Sequence, residues 1–394
     1  MARRRLNPDT SIGERIAQRR QLRGWSIRYA ASRAGLDPST WSRIERGITS
    51  ADNRFVLAEI AAALECSTAE LAGVPAGSAD PEVAAALAGV GQVREALIDA
   101  ELDEPATCAA RPLPELGRLA DTEQAVRLRC DYAGALRLLP DLIRGLHALT
   151  HGPDREPALR LLVQVAYDAF VCLSSVGYVA ESWMAARLGH QAADAVEDPT
   201  LRGFSGFTLS RAAVACGSYR RALHLADRHA VEMDEHTDQA GALEMLGMLH
   251  LAGAYAARGL RQDATTHLTE AGQLAGRTGE TDTHCLYFGP TNVRIWRVSM
   301  DTDGGDPGQA VAIARTTNPL LIPVAARQSL FYIDTGRALA RLGRSKEAAR
   351  MLLIGERTAP QRVRASRFVR ETVRALSARP GAELHGLAER VGVA

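Results

Sequence analysis

Ser39, Ser42, Arg43 and Arg46 follow closely on an Asp37-Pro38 pair near the N-terminus. Hydroxyls and guanidinium forks at that spacing suit recognition better than bond making. An arginine grips guanine through two hydrogen bonds, and a serine reaches a base edge or a phosphate. No nucleophile–base pair, Walker loop, GxSxG or HExxH motif accompanies them, so an enzyme is not expected. The glycine-rich Asp301–Gly308 stretch follows a helical pattern and reads as a loop. His147 and His151, and His224, His229 and His236 beside Asp234 and Glu235, have helical spacing. No third ligand is fixed by that spacing, so they read as exposed helix faces, and no metal or cofactor is expected.

The groove-facing residues need a short helix held from behind. Trp41 and Ile44 lie three apart and share one face, which puts Pro38, Ser39, Ser42, Arg43 and Arg46 on the other. Asp37 suits the N-cap and Pro38 the first turn. Gly35 suits a left-handed corner and Leu36 a plug into the core. Around this element, residues 11–71 read as five short helices. Ser11–Glu14 and Ser67–Glu70 are capping boxes, Ser26 caps the second helix, and the fourth runs from about Asp52 to Leu64.

Charge supports a polyanion partner for this segment. Residues 1–50 hold 11 arginines against Asp9, Glu14, Asp37 and Glu45, in a 394-residue chain of formal net charge +1. Lys346 is the sole lysine, so abundance of arginine by itself carries no weight. The sequence shows no CxxC pair, no secretory signal pattern and no apolar run of membrane-spanning length. A cytoplasmic protein without membrane contact is expected.

The turn-rich stretch at 73–81 reads as a linker between a 1–72 unit and an 82–394 unit. In the second unit a glycine recurs with a small residue five positions later: Gly177/Ser182, Gly217/Ala222, Gly259/Ala264, Gly305/Ala310 and Gly343/Ala348. Each predicts a helix, a turn at the glycine, and a helix packed through its small residue. That is the pattern of tetratricopeptide-like helix pairs. The fold class is therefore all-α: a five-helix helix-turn-helix domain, then an α-solenoid.

The N-terminal segment resembles the Xre family of bacterial regulators, through Gly24-Trp25-Ser26, the AxxAGL pattern at 31–36, STWSRIERG at 39–47 and LAEIAAALECSTAEL at 57–71. The resemblance implies double-stranded DNA as partner, with Ser39, Ser42 and Arg43 at base-reading positions and Ser26 and Arg46 at backbone positions. Where the family usually has a phosphate-contacting glutamine, this chain has Ile27, and Arg28 stands in for it. Arg54 is a further phosphate candidate, and Arg3–Arg5 a minor-groove arm. More loosely, the rest of the chain is similar to actinobacterial regulators that join an Xre domain to a tetratricopeptide-like domain. In related peptide receptors of Gram-positive bacteria, the first helices of each repeat line a groove.

Three expectations follow from that likeness. The chain pairs as a homodimer on a near-palindromic operator, and its repeat unit receives a small-molecule or peptide effector. Phe288, Asn292 and Trp296 line the effector site, with backbone NH groups near Pro290 and Thr291 favouring a carboxylate or polar ligand end; the alternative reading makes Phe288 and Trp296 ordinary inter-repeat core. The competing reading is a helical-repeat scaffold for a partner protein, with DNA binding secondary or lost.

Overall fold

The computed structural model describes residues 10–73, 80–100, 102, 104, 111–377 and 384–393. Among these residues there are α-helices, two short 3-10 turns and no strands. The expected linker lies outside the described residues over 74–79, as does the Arg3–Arg5 arm.

The first five helices are α1 (Ile12–Leu22), α2 (Ile27–Arg33), α3 (Pro38–Glu45), α4 (Arg54–Ala63) and α5 (Thr68–Ala72). Each starts where a short polar side chain accepts a first-turn NH. Ser11, Ser26, Asp37, Asn53 and Ser67 do so, with full capping boxes at Ser11/Glu14 and Ser67/Glu70. Such caps contribute about 1 kcal/mol each, which matters for helices this short. Helix four starts slightly later than expected because Asn53, rather than Asp52, is its cap. Ile12, Ile16, Trp41, Ile60, Leu64 and Leu71 form the core of this unit, with Leu36 half-buried against it.

Helix α6 (Pro81–Asp99) leads into the solenoid, whose pairs are α7 (Leu113–Leu128) with α8 (Tyr132–His147), α9 (Arg155–Ser175) with α10 (Val179–Asp194), and α11 (Pro199–Ala215) with α12 (Tyr219–Asp234). Next come α13 (Ala242–Gly259) with α14 (Thr265–Thr278), α15 (Pro290–Asp303) with α16 (Pro307–Arg315), and α17 (Ala325–Arg341) with α18 (Ser345–Thr358). Three short helices close the chain: α19 (Pro360–Ala365), α20 (Arg367–Ser377) and α21 (His385–Arg390).

Four of the five glycines marked by the repeat sit in left-handed turns inside pairs, at Gly177, Gly217, Gly305 and Gly343. All five small partners are buried: Ser182, Ala222, Ala264, Ala310 and Ala348. Gly259 differs. It ends α13, and the left-handed turn residue there is Arg261. A Cβ at Gly259 would lie 2.3 Å from the Tyr219 ring, so this glycine serves close packing. The α7–α8 pair escaped the sequence pattern because its left-handed turn residue is Cys130, with buried Ala135 at the expected offset.

By length and composition α9 is apolar enough to cross a membrane, contrary to the sequence expectation. Here it is a core helix, with Leu162, Ala166, Cys172 and Leu173 fully buried. Two of the histidines expected on exposed faces, His147 and His229, are buried as well.

The two units share their packing. Phe55 of α4 enters the solenoid core, edge-on to Tyr219 and Tyr255 at 5.5 and 5.1 Å between ring centroids. Phe368 of α20 packs against the N-terminal core in return. Between them lies a buried polar layer. Arg337 donates to Asp334 at 2.7 Å, to Asp303 at 2.5 Å and to Asp52 at 3.4 Å. Arg341 reaches Asp52 at 2.9 Å, and Thr372 donates to the same carboxylate at 2.8 Å. Arg54 reaches Asp303 at 2.8 Å. Three carboxylates thus meet three guanidiniums, which removing any one partner would leave with an uncompensated buried charge.

Candidate functional site

Helices α2 and α3 meet at Gly35, where φ is +64°. The Asp37 side chain accepts from the Ser39 NH at 2.8 Å, and the Ser39 hydroxyl, with that NH second, holds its carboxyl below the ordinary value. Behind α3, Trp41 is fully buried and Ile44 nearly so. The Trp41 indole NH donates to Glu45 at 2.6 Å, and Glu45 takes a bidentate grip from Arg20 at 2.7 and 2.8 Å. Arg20 also donates to the Trp25 carbonyl at 2.7 Å. This clamp ties α3 to α1 and fixes its rotation. Gly13 completes it, because a Cβ there would sit 2.2 Å from the Ile44 carbonyl oxygen. Sequence reasoning missed Gly13, Arg20 and Glu45. The only signal available was an acid four residues after Trp41.

The front of α3 presents Pro38, Ser39, Arg43 and Arg46 to solvent, with Ser42 half-exposed between them. Ser26 and Arg28 are exposed at the start of α2, while Ile27 is half-buried against the core. Among the described residues no carboxylate pairs with Arg28, Arg43 or Arg46. Arg46 makes only a 3.3 Å contact to the Ser42 carbonyl. Seven of the eight expected DNA-facing residues are therefore exposed or half-exposed, and their arginines have no carboxylate partner among the described residues.

Arg54 does not join them. It is the first residue of α4, and its guanidinium turns into the junction, 2.8 Å from Asp303 and 3.6 Å from Asp334, over the Phe368 ring. Burial opposes its charge, but those two carboxylates outweigh it and raise its pKa further. The phosphate expectation for Arg54 is thereby corrected: its acids come from α15 and α17.

The expected effector residues also separate. Phe288 is fully buried against α13, where a Cβ at Gly247 would be 2.0 Å from its ring. Asn292 is fully buried too and donates to the Leu286 and Tyr287 carbonyls at 3.0 and 2.8 Å. It braces a segment in which His284, Cys285 and Tyr287 all have positive φ. The Thr291 NH is taken by Glu280 at 2.9 Å, so the start of α15 already holds an acid of this chain. Phe288 and Asn292 are core and brace, and the carboxylate expectation at Thr291 is corrected with them. Trp296 alone of the three lines a cavity.

That cavity has a volume of about 350 Å³ and lies inside the solenoid. The first helices of the pairs from α7 to α17 build most of its wall, joined by Val179 at the start of α10, Gly217 and Tyr219 around the start of α12, and Cys285 and Tyr287 from the turn before α15. Arg362 and Phe368 close it from the tail, and Arg54, Leu57 and Thr68 from the N-terminal unit.

Residues 11–74 match the family model for a helix-turn-helix domain. The match spans all five N-terminal helices and so includes the α2–α3 face described above. Among solved structures, the chain is similar to Bacillus thuringiensis PlcR, crystallised in complex with the peptide PapR7 and DNA. Identity is 14%, the TM-score is 0.31, and the likeness covers 68% of this chain and 95% of that one. So distant a likeness says nothing of function here. No curated protein matches the chain.

Proposed function

We propose that this protein is a DNA-binding transcriptional regulator of the cytoplasm, with α3 as its recognition helix. Ser39, Ser42 and Arg43 read base edges in the major groove, and Ser26, Arg28, Pro38 and Arg46 position the helix on the backbone. The chain acts as a homodimer, which sets two recognition helices in successive major grooves of a near-palindromic operator. The 1–72 unit carries DNA recognition, and the 82–394 unit carries pairing and effector reception. The single observation that supports this most is the asymmetry of α3. Its back is clamped through Trp41, Glu45 and Arg20, while its front leaves Arg43 and Arg46 exposed without a carboxylate.

The test is fluorescence-anisotropy titration of DNA from the upstream region of its own gene against scrambled DNA, across a salt series. Saturable, salt-dependent binding that prefers the upstream DNA is expected. Equal, weak binding to both DNAs would remove the reading.

A further inference from the structure

Among the described residues, the cavity wall carries five arginines, Arg54, Arg127, Arg211, Arg327 and Arg362, and no aspartate or glutamate. Two of them are neutralised from behind the wall. Arg54 has Asp303, and Arg127 has Asp168 at 2.6 Å. Arg362 is held by the hydroxyls of Tyr132 and Ser175 at 3.2 and 3.3 Å, neither of which carries charge. Arg211 and Arg327 have no ion-pair partner among the described residues. Both guanidiniums instead approach the Trp296 ring, at 4.7 and 5.6 Å from its centroid.

Converging cations in a low-dielectric pocket repel one another unless an anion joins them. Burial, with Arg211 and Arg362 adding to it, pushes Arg327 down to about 10. It remains charged at neutral pH. Two donors at this spot also lack protein acceptors: Arg211 Nη1 and Trp296 Nε1, both buried. Buried polar groups of native proteins rarely go unpartnered without a reason. Around them the wall is aromatic and apolar, with Tyr167, Phe170, Phe207, Tyr255 and Leu330. The backbone at Cys285 and Tyr287, two further wall residues, is held at positive φ, a feature that clusters at ligand sites.

We propose that this cavity binds a small carboxylic acid with an aromatic or apolar body, its carboxylate set between Arg211 and Arg327 beside Trp296. The planar guanidinium fork matches a carboxylate bidentately, and the volume suits a small molecule. The idea rests on the reading of the solenoid as the effector-receiving unit and gives that effector a chemical class. Because Arg54, Leu57 and Thr68 belong to the DNA-binding unit, the guest touches both units and its binding is linked to how they dock.

The test uses the full chain, 1-naphthaleneacetate and the uncharged 1-naphthaleneacetamide, in isothermal titration calorimetry at low chloride. The acid is expected to fill a single saturable site. The amide, and the acid against Arg211→Gln or Arg327→Gln, should bind roughly 10- to 100-fold more weakly, the scale of a lost charge-assisted hydrogen bond. Without ligand, both variants should melt at or above wild type, since each removes an uncompensated cation. Equal binding of acid and amide, no saturable binding of the acid, undiminished binding by both variants, or variants that melt below wild type would each overturn the proposal. None of these measurements involves DNA. A failure here leaves the α3 reading standing, and a failure of operator binding leaves the calorimetry intact.

Discussion

The helix-turn-helix unit has two arginine-bearing sides that differ in one respect. On α2 and α3, Arg28, Arg43 and Arg46 are exposed, and no carboxylate pairs with them among the described residues. On the junction side, Arg54 of this unit and Arg337 and Arg341 of α17 share Asp52, Asp303 and Asp334. A guanidinium already paired has no donor fork left for phosphate. In the proposed reading the same residue type therefore serves recognition on one side and structure on the other, and the neighbouring acids decide which. The cavity behind the junction resembles the α3 side in chemistry, since Arg211 and Arg327 have no ion-pair partner among the described residues, but the junction side in burial.

The largest expected effect at the junction is that of Arg337→Ala. It should destabilise the chain by about 3–5 kcal/mol, because buried carboxylates lose their counter-charge. Thermal or urea melts of the full chain would show it, and a loss under about 1 kcal/mol would mean the network is solvated and weak. The same network gives stability a pH dependence. Burial would raise Asp52 and Asp303, but the surrounding arginines outweigh it and hold both below the ordinary carboxylate range. Their contribution is fully present above the unfolded value of about 4. It is lost as the pH falls through the lower folded values. Arg337→Ala should flatten that acid limb of a melting-temperature series.

On the recognition side, Trp41→Ala should cost roughly 3–5 kcal/mol by emptying an aromatic-sized space. It should reduce operator binding through misplacement of α3. A harmless Trp41→Ala would put the helix phase out by one residue. Arg43→Ala should leave the melt unchanged and weaken operator binding by about 1–3 kcal/mol, relaxing preference at one base pair. Unchanged affinity and preference in a folded Arg43→Ala chain would place base reading elsewhere.

The smallest effect distinguishes the two sides most directly. Arg46→Ala should reduce the salt slope of DNA binding by about 1. Arg54→Ala should leave that slope unchanged while lowering stability, since its partner is Asp303 rather than phosphate. Anisotropy titrations at several salt concentrations would read both, and equal slopes for the two variants would erase the distinction between the sides.

Short-range rules made much of the architecture legible. Ser11, Asp37 and Ser67 each cap the helix that follows, because capping joins residues two or three apart. Trp41 and Ile44 set the phase of α3 through the helical repeat alone. Glycine followed by a buried small residue marked five of the solenoid pairs. The pair turning at Cys130 stayed hidden because its left-handed residue is not a glycine.

What the sequence determined by itself was therefore the all-α class, the five capped helices, the open face of α3 and most of the repeat. Only the tertiary structure decided the fate of Arg54 and Arg337, whose partners Asp303 and Asp52 lie 249 and 285 residues away in the chain. It also turned Phe288 and Asn292 inward, and it brought Arg211 and Arg327 to one indole without an acid between them. The physical reason is range. Caps and periodicity are properties of a few consecutive residues, whereas the neutralisation of a charge depends on every element that packs around it.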